Sequence, residues 1–242
     1  MSGMPFVGRE KEIKQIQKAL KRGNNVILTG KYGIGRTSLI RHIAEITQEQ
    51  WPFVFMDFSQ TPGKVCQHLM GELLFREKFK GRDETLGYKA IRFRISTLDF
   101  EKGRKPVLVL DNIGKLSTRK MDLIRYLSMA KRFHFVAIAE NFLSEEKLFS
   151  LRACLNPALL MKVSYLSQRN GREFFRHYAA RHRLLWTENE ISSLAEMTGG
   201  YPLRMREVAN RTVERLCGLG GLGTSLKSNR LSVPAPLCAT PK

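Results

Sequence analysis

Apolar positions along the chain fall into two alternating patterns. Ile13, Ile16 and Leu20 recur at helical spacing within residues 10–22, and Gly23-Asn24-Asn25 ends that stretch. The β-branched run Val26-Ile27-Leu28 then enters a glycine-rich turn at 30–35, after which residues 37–48 read as a helix. Phe53-Val54-Phe55-Met56 and Val107-Leu108-Val109-Leu110 predict two more buried strands. His134–Ala139, with Phe135-Val136-Ala137-Ile138 as its apolar centre, predicts a fourth, and 161–165 a fifth. Helical stretches at 64–75 and 118–131 lie between them. Continuous apolar strands alternating with helices point to a parallel sheet covered on both faces.

The pattern changes after Ser167. Three helical stretches follow, at 171–183, 187–197 and 202–217, with no further strand. The expected organisation is therefore an α/β domain over 1–166 followed by a small all-α lid over 167–217. Residues 218–242 are rich in Gly, Ser and Pro and carry no acid, a composition that predicts a disordered tail.

Composition narrows this picture only in places. A hydrophobic content of 43% is enough for an ordinary core and excludes global disorder. No apolar run approaches the roughly 20 residues of a membrane span. The start, Met1-Ser2-Gly3-Met4-Pro5, lacks the apolar segment of a secretory signal, so a cytoplasmic location is expected. Cys66, Cys154, Cys217 and Cys238 are scattered, a spacing that makes neither a metal site nor a disulfide framework; they read as reduced, mostly buried thiols. Charge matters more. With 41 basic against 22 acidic residues the net charge is +19, which speaks of partners rather than fold. It reads either as a solvated basic surface or as the footprint of a polyanion, DNA ahead of RNA or an anionic membrane.

The candidate chemistry centres on Gly30-Lys31-Tyr32-Gly33-Ile34-Gly35-Arg36-Thr37, which follows a strand and opens a helix, as a phosphate-binding loop requires. Gly30, Gly33 and Gly35 let the backbone wrap a phosphate, and the helix start offers free N–H groups and a positive dipole end. The Thr37 hydroxyl is placed to ligate Mg²⁺, with Ser38 beside it. Arg36 stands where this motif has lysine; it keeps the charge but is bulkier and planar. Lys31 in the same loop reads either as a solvated lysine or as a second cation for the phosphates. At the end of the 107–110 strand, Asp111 fits the acid that holds the Mg²⁺ water shell. The next residue, Asn112, cannot accept a proton, and losing a general base costs about 10²–10⁴ in rate. A slow ATPase or a binding-only switch is expected.

In combination, Phe6-Val7-Gly8-Arg9-Glu10, the phosphate loop, Leu110-Asp111-Asn112 and Thr198-Gly199-Gly200-Tyr201-Pro202-Leu203 resemble the AAA+ ATPases, over about residues 5–217. The nearest groups are the signal-transduction (STAND-like) proteins and the small ATPases that assist DNA transposition. The resemblance implies that Val7, Gly8 and Arg9 lie over an adenine. It implies Asn141, with Glu140 beside it, as the polar sensor of the γ-phosphate after the fourth strand. It implies Arg204 or Arg206 as a phosphate sensor on the last helix, and Arg152 as an arginine finger. It also implies ATP and Mg²⁺ as cofactors and assembly into a homo-oligomer.

Two stretches concentrate the basic surplus. One holds Arg76, Lys78, Lys80, Arg82, Lys89, Arg92 and Arg94 against Glu77, Asp83 and Glu84, with Phe79 and Phe93 expected in the core. The other, 169–183, holds five arginines against the single acid Glu173. Neither resembles a base-reading motif, so phosphate contact independent of sequence is the expected mode. The leading functional expectation is an ATP-dependent DNA-binding regulator that helps a transposase choose its target or loads a replication enzyme. The alternatives are a STAND-type nucleotide switch controlling protein assembly, and a degenerate AAA+ protein that is purely structural.

Overall fold

A computed structural model describes residues 6–76, 86–100 and 105–219. The chain runs α1 (Glu10–Lys21), β1 (Asn25–Thr29), α2 (Arg36–Ile46), β2 (Phe53–Asp57), α3 (Pro62–Arg76), α4 (Tyr88–Thr97) and β3 (Val107–Ile113). It continues through α5 (Thr118–Met129), β4 (His134–Ala139), α6 (Glu145–Cys154), β5 (Ala158–Lys162), α7 (Gln168–His182), α8 (Glu188–Thr198) and α9 (Pro202–Leu219). The strands form one sheet in the order β2-β3-β4-β1-β5, with every pairing parallel.

Alternation along each strand explains why helices cover both faces. Ile27, Val54, Met56, Leu108, Leu110, Phe135 and Ala137 join one buried cluster, with α3, α4 and α5. Val26, Leu28, Phe53, Val107, Val109, Val136 and Ile138 join the other, with α1 and α2. Period-2 side-chain direction makes this partition unavoidable once both faces are apolar. At the lower edge Asn25 fastens β1 to two other segments: its Nδ2 donates to the Leu155 carbonyl at 2.7 Å, and its Oδ1 accepts the Phe135 N–H at 2.9 Å. Its own N–H donates to the Pro157 carbonyl, in the same connection as Leu155, at 2.9 Å.

Helix starts follow the side chains that can cap them. Ser117, Ser144, Ser167 and Thr187 each accept an N–H from the third residue on, and Thr187 with Glu190 forms a reciprocal capping box. α7, α8 and α9 bury a cluster of their own, built on Phe175, Tyr178, Ile191, Ala195, Met205 and Ala209.

Several expectations need correcting. The fifth strand is Ala158–Lys162, not 161–165. Helix α6 was not expected, and α4 lies where only a basic stretch was read. Phe93, expected in the core, stands 63% exposed. Cys66 is buried and Cys154 half-buried; burial pushes the Cys66 thiol up to about 11, leaving it inert at neutral pH. Of the predicted tail, residues 220–242 lie outside the described residues, and α9 runs to Leu219. Lys78, Phe79, Lys80 and Arg82, with the acids among them, also lie outside. Among the described residues, no helix is long and apolar enough to cross a membrane.

Candidate functional site

In an open parallel sheet, ligands gather where the strands end. Here β1 ends at Thr29, the chain turns through 30–35, and α2 begins at Arg36, so the first N–H groups of α2 have no partner within the helix. Ile34 is fully buried and anchors the turn. Gly33 has φ +72°, and a Cβ there would sit 2.7 Å from Leu203 Cβ, so the start of α9 rests directly on the loop.

Arg36 does not project freely. It is 5% exposed, its Nη1 donates to the Ala139 carbonyl, and its Nη2 donates to Glu140 Oε2 at 2.6 Å. A planar guanidinium can serve both acceptors, which gives a structural reason for arginine in place of lysine. Thr37 Oγ1 donates to Asp111 Oδ1 at 3.1 Å, bringing the two expected metal-holding groups together. A hydroxyl and a carboxylate are hard oxygen donors and suit Mg²⁺. Among the described residues no three His, Cys, Asp or Glu side chains converge, so further ligands for such an ion would come from phosphate and water.

Asn112 has φ +60°, a conformation asparagine tolerates, and its Nδ2 donates to Asp57 Oδ1 at 3.1 Å. Its amide is thus spent on the tip of β2. Asp57, paired in register with Asp111, was not singled out in the sequence. The signal was present, since it too is an acid closing a buried apolar run. Burial opposes its charge, but hydrogen bonds from the Ser59 N–H, Asn112, the Ser59 hydroxyl and Gln60 outweigh this and hold its carboxyl down to about 2. Because this folded value lies below the ordinary 3.8, the stabilisation is complete above about pH 4 and lost as pH falls through about 2. Urea midpoints measured across that window should fall more in the parent chain than in Asp57→Asn; parallel curves would contradict the assignment.

Glu140 lies just past β4, its side chain 12% exposed, and its N–H donates to the Ile113 carbonyl at 2.9 Å. Asn141, the expected sensor, is the next residue and is exposed. Val7 is buried. A Cβ on Gly8 would overlap the Asn170 side chain of α7. Arg9 Nη2 donates to the Ile34 carbonyl at 3.2 Å, while its Nη1 pairs with Glu12 at 3.0 Å. The 7–9 segment is therefore clamped between the glycine loop and α7.

The loop is also tied to the last helix. Tyr201 OH donates to the Tyr32 carbonyl at 2.6 Å. Lys31 Nζ donates to Tyr165 OH at 3.2 Å, a bond that raises its pKa, and sits 5.1 Å from the centre of the Tyr201 ring. Ser38 is exposed on α2, and Arg204 and Arg206 are exposed on α9, beyond the Leu203 that meets the loop. Arg152 is exposed in the last turn of α6. The structure thus gathers Arg36, Thr37, Asp57, Asp111, Asn112 and Glu140 at the ends of β2, β3 and β4.

The basic stretches are less uniform than their sequence suggests. Arg92 stacks on Tyr126 at 4.1 Å and Tyr88 at 5.5 Å, and with Arg119 it lines a cleft of about 400 Å³. Arg176 pairs with Glu188 at 2.6 Å across α7 and α8. Arg169, Arg181 and Arg183 are exposed.

The AAA ATPase domain family matches residues 5–137. Among solved structures, the RuvB Holliday junction branch migration motor of Thermotoga maritima has a TM-score of 0.59 and 17% identity over 89% of this chain and 65% of that one. Cdc6p from Pyrobaculum aerophilum has a TM-score of 0.64 and 16% identity, over 90% and 65%. The Orc1 protein of Aeropyrum pernix, in complex with DNA, has a TM-score of 0.61 and 16% identity, over 88% and 62%. The chain spans less than two thirds of the length of each, and at such identities the likeness is one of fold. Curated protein sequences give no significant match.

Proposed function

The chain belongs to the family of AAA ATPase domains, and from that premise we propose that it is an ATP-binding regulator that associates with DNA through phosphate contacts, as an oligomer, with slow hydrolysis. The observation that carries this reading is the 3.1 Å contact between Thr37 and Asp111 at the mouth of the glycine loop. It joins the two groups that would hold Mg²⁺, and that ion would neutralise charge on the β- and γ-phosphates. The loop N–H groups and Lys31 would face the phosphates, with Arg36 behind them, paired with Glu140. Val7, Gly8 and Arg9 would border the adenine.

DNA as partner is supported by the charge of +19 and by a fold-level relative solved with DNA bound. A role beside a transposase, or in loading a replication enzyme, is the finer form of the proposal. One observation favours the alternative of a STAND-type switch, namely the contact of Lys31 and Tyr32 with Tyr165 and Tyr201, which links the loop to the helical portion.

Titration of duplex DNA across a salt series, with MgATP present, tests the reading. A protein making about six phosphate contacts loses about a thousandfold in affinity between about 50 and 200 mM salt. A flat response, or no binding at low salt, overturns the DNA assignment. No uptake of MgATP by calorimetry overturns the whole proposal.

A further inference from the structure

Hydrolysis of a triphosphate needs a group that takes the proton of the attacking water, and the residue expected to hold it, Asn112, cannot. The carboxylates at the strand ends are not equivalent. Asp111 Oδ1 already accepts the Thr37 hydroxyl at 3.1 Å and the Asn112 N–H at 2.9 Å, in the position that holds the metal. Asp57 accepts from the Ser59 N–H and hydroxyl, Gln60 and Asn112, at 2.8–3.4 Å, so each of its oxygens already has two donors. Glu140 is different. It closes β4, the strand between β1 and β3, so it lies between the glycine loop and Asp111. Among the described residues, its carboxylate accepts only from Arg36, on Oε2.

We propose that Glu140 is the general base of this site, removing the proton from the water that attacks the γ-phosphorus of bound ATP, with Arg36 orienting its carboxylate. This rests on the nucleotide-binding reading above. As the water oxygen bonds to phosphorus, the bond from phosphorus to the β–γ bridging oxygen breaks and its electron pair leaves with ADP. The proton passes to Glu140, which returns it to the released phosphate. The carboxylate missing at residue 112 is thus supplied from the neighbouring strand. The guanidinium that orients it is held back from the phosphates, and turnover is slow for that reason.

The test compares the parent chain with Glu140→Gln for MgATP affinity and for phosphate release in a single turnover. The amide keeps an oxygen for Arg36, so affinity should stay within about threefold, while release falls by about 10²–10⁴. Should Glu140→Gln fail to fold, Glu140→Asp, whose carboxylate is drawn back by about 1 Å, is expected to bind nucleotide and turn over up to about a hundredfold more slowly. Undiminished release by Glu140→Gln, or by Glu140→Asp in its place, overturns the inference alone, as does a parent chain that binds MgATP without hydrolysing it. A parent chain that takes up no MgATP overturns this inference and the nucleotide-binding reading together.

Discussion

Replacing Arg36 with alanine is expected to destabilise the fold by about 3–5 kcal/mol, the cost of removing one partner of a buried ion pair. Both side chains are largely out of solvent, at 5% and 12% exposure. The substitution strands the Glu140 carboxylate and deprives the Ala139 carbonyl of its donor. For a chain of this size each kcal/mol moves Tm by about 2–4 °C, so a fall on the order of 10 °C is anticipated. The double variant Arg36→Ala with Glu140→Ala should be less destabilised than the sum of the two singles, because no orphan charge remains. Additive losses, or an Arg36→Ala chain within about 0.5 kcal/mol of the parent, would show that the pair carries no such weight. Exposed pairs offer the contrast: Arg132 with Asp99 and Arg125 with Asp122 lie in solvent, where pairs contribute about 0–1 kcal/mol.

Gly200→Ala is expected to cost about 3 kcal/mol or more, and Gly199→Ala only about 1 kcal/mol. Both glycines have positive φ, +70° and +58°, which disfavours any L side chain by roughly 1–2 kcal/mol. They differ in what a Cβ would meet. At Gly199 it would meet nothing within 4 Å, whereas at Gly200 it would overlap the Leu166 carbonyl oxygen. That neighbour is backbone, and it is held in place because the Leu166 N–H donates to the Gly200 carbonyl at 2.9 Å. The overlap adds an overpacking penalty of about 1–3 kcal/mol. Urea denaturation of the two variants, with limited proteolysis within α7–α9, provides the comparison. Equal stabilities would mean that the join between the sheet and the last helices tolerates crowding that the geometry forbids.

Much of the α/β portion was legible because its strands are apolar on both sides. Four of the five strand positions follow from short β-branched or aromatic runs, and their partition into two clusters is what continuous hydrophobicity implies. β5 was misplaced because it is an edge strand: Leu160 is 39% exposed and Lys162 is exposed, so burial is not written into its residues. Helix α4 was hidden by Lys89, Arg92 and Arg94, although Tyr88, Ile91 and Ile95 keep helical spacing. Helix α6 shows no apolar face, and Leu151 is its one buried residue. At the site, the loop and Asp111 were recognisable from spacing. The partnerships of Arg36 with Glu140 and of Asn112 with Asp57 were not, because they join strand ends distant in sequence. They also mean that Arg36→Lys and Asn112→Glu, which would supply a lysine to the loop and a carboxylate after Asp111, each disturb a partnership. The first gives up a fork with two acceptors. The second puts glutamate at φ +60° and removes the donor to Asp57.

The tie between Tyr32 and Tyr201, reinforced by Lys31, couples the shape of the loop to the start of α9. If a triphosphate draws Lys31 away, the aromatic pair loses a cation, and the energy of that loss appears at both ends. On the proposed reading reciprocity would apply: a macromolecule that bound α9 and moved Tyr201 would alter the hold on ATP by the same factor by which ATP altered the grip on that macromolecule. One ammonium group beside two rings would then carry that coupling between the loop and the start of α9.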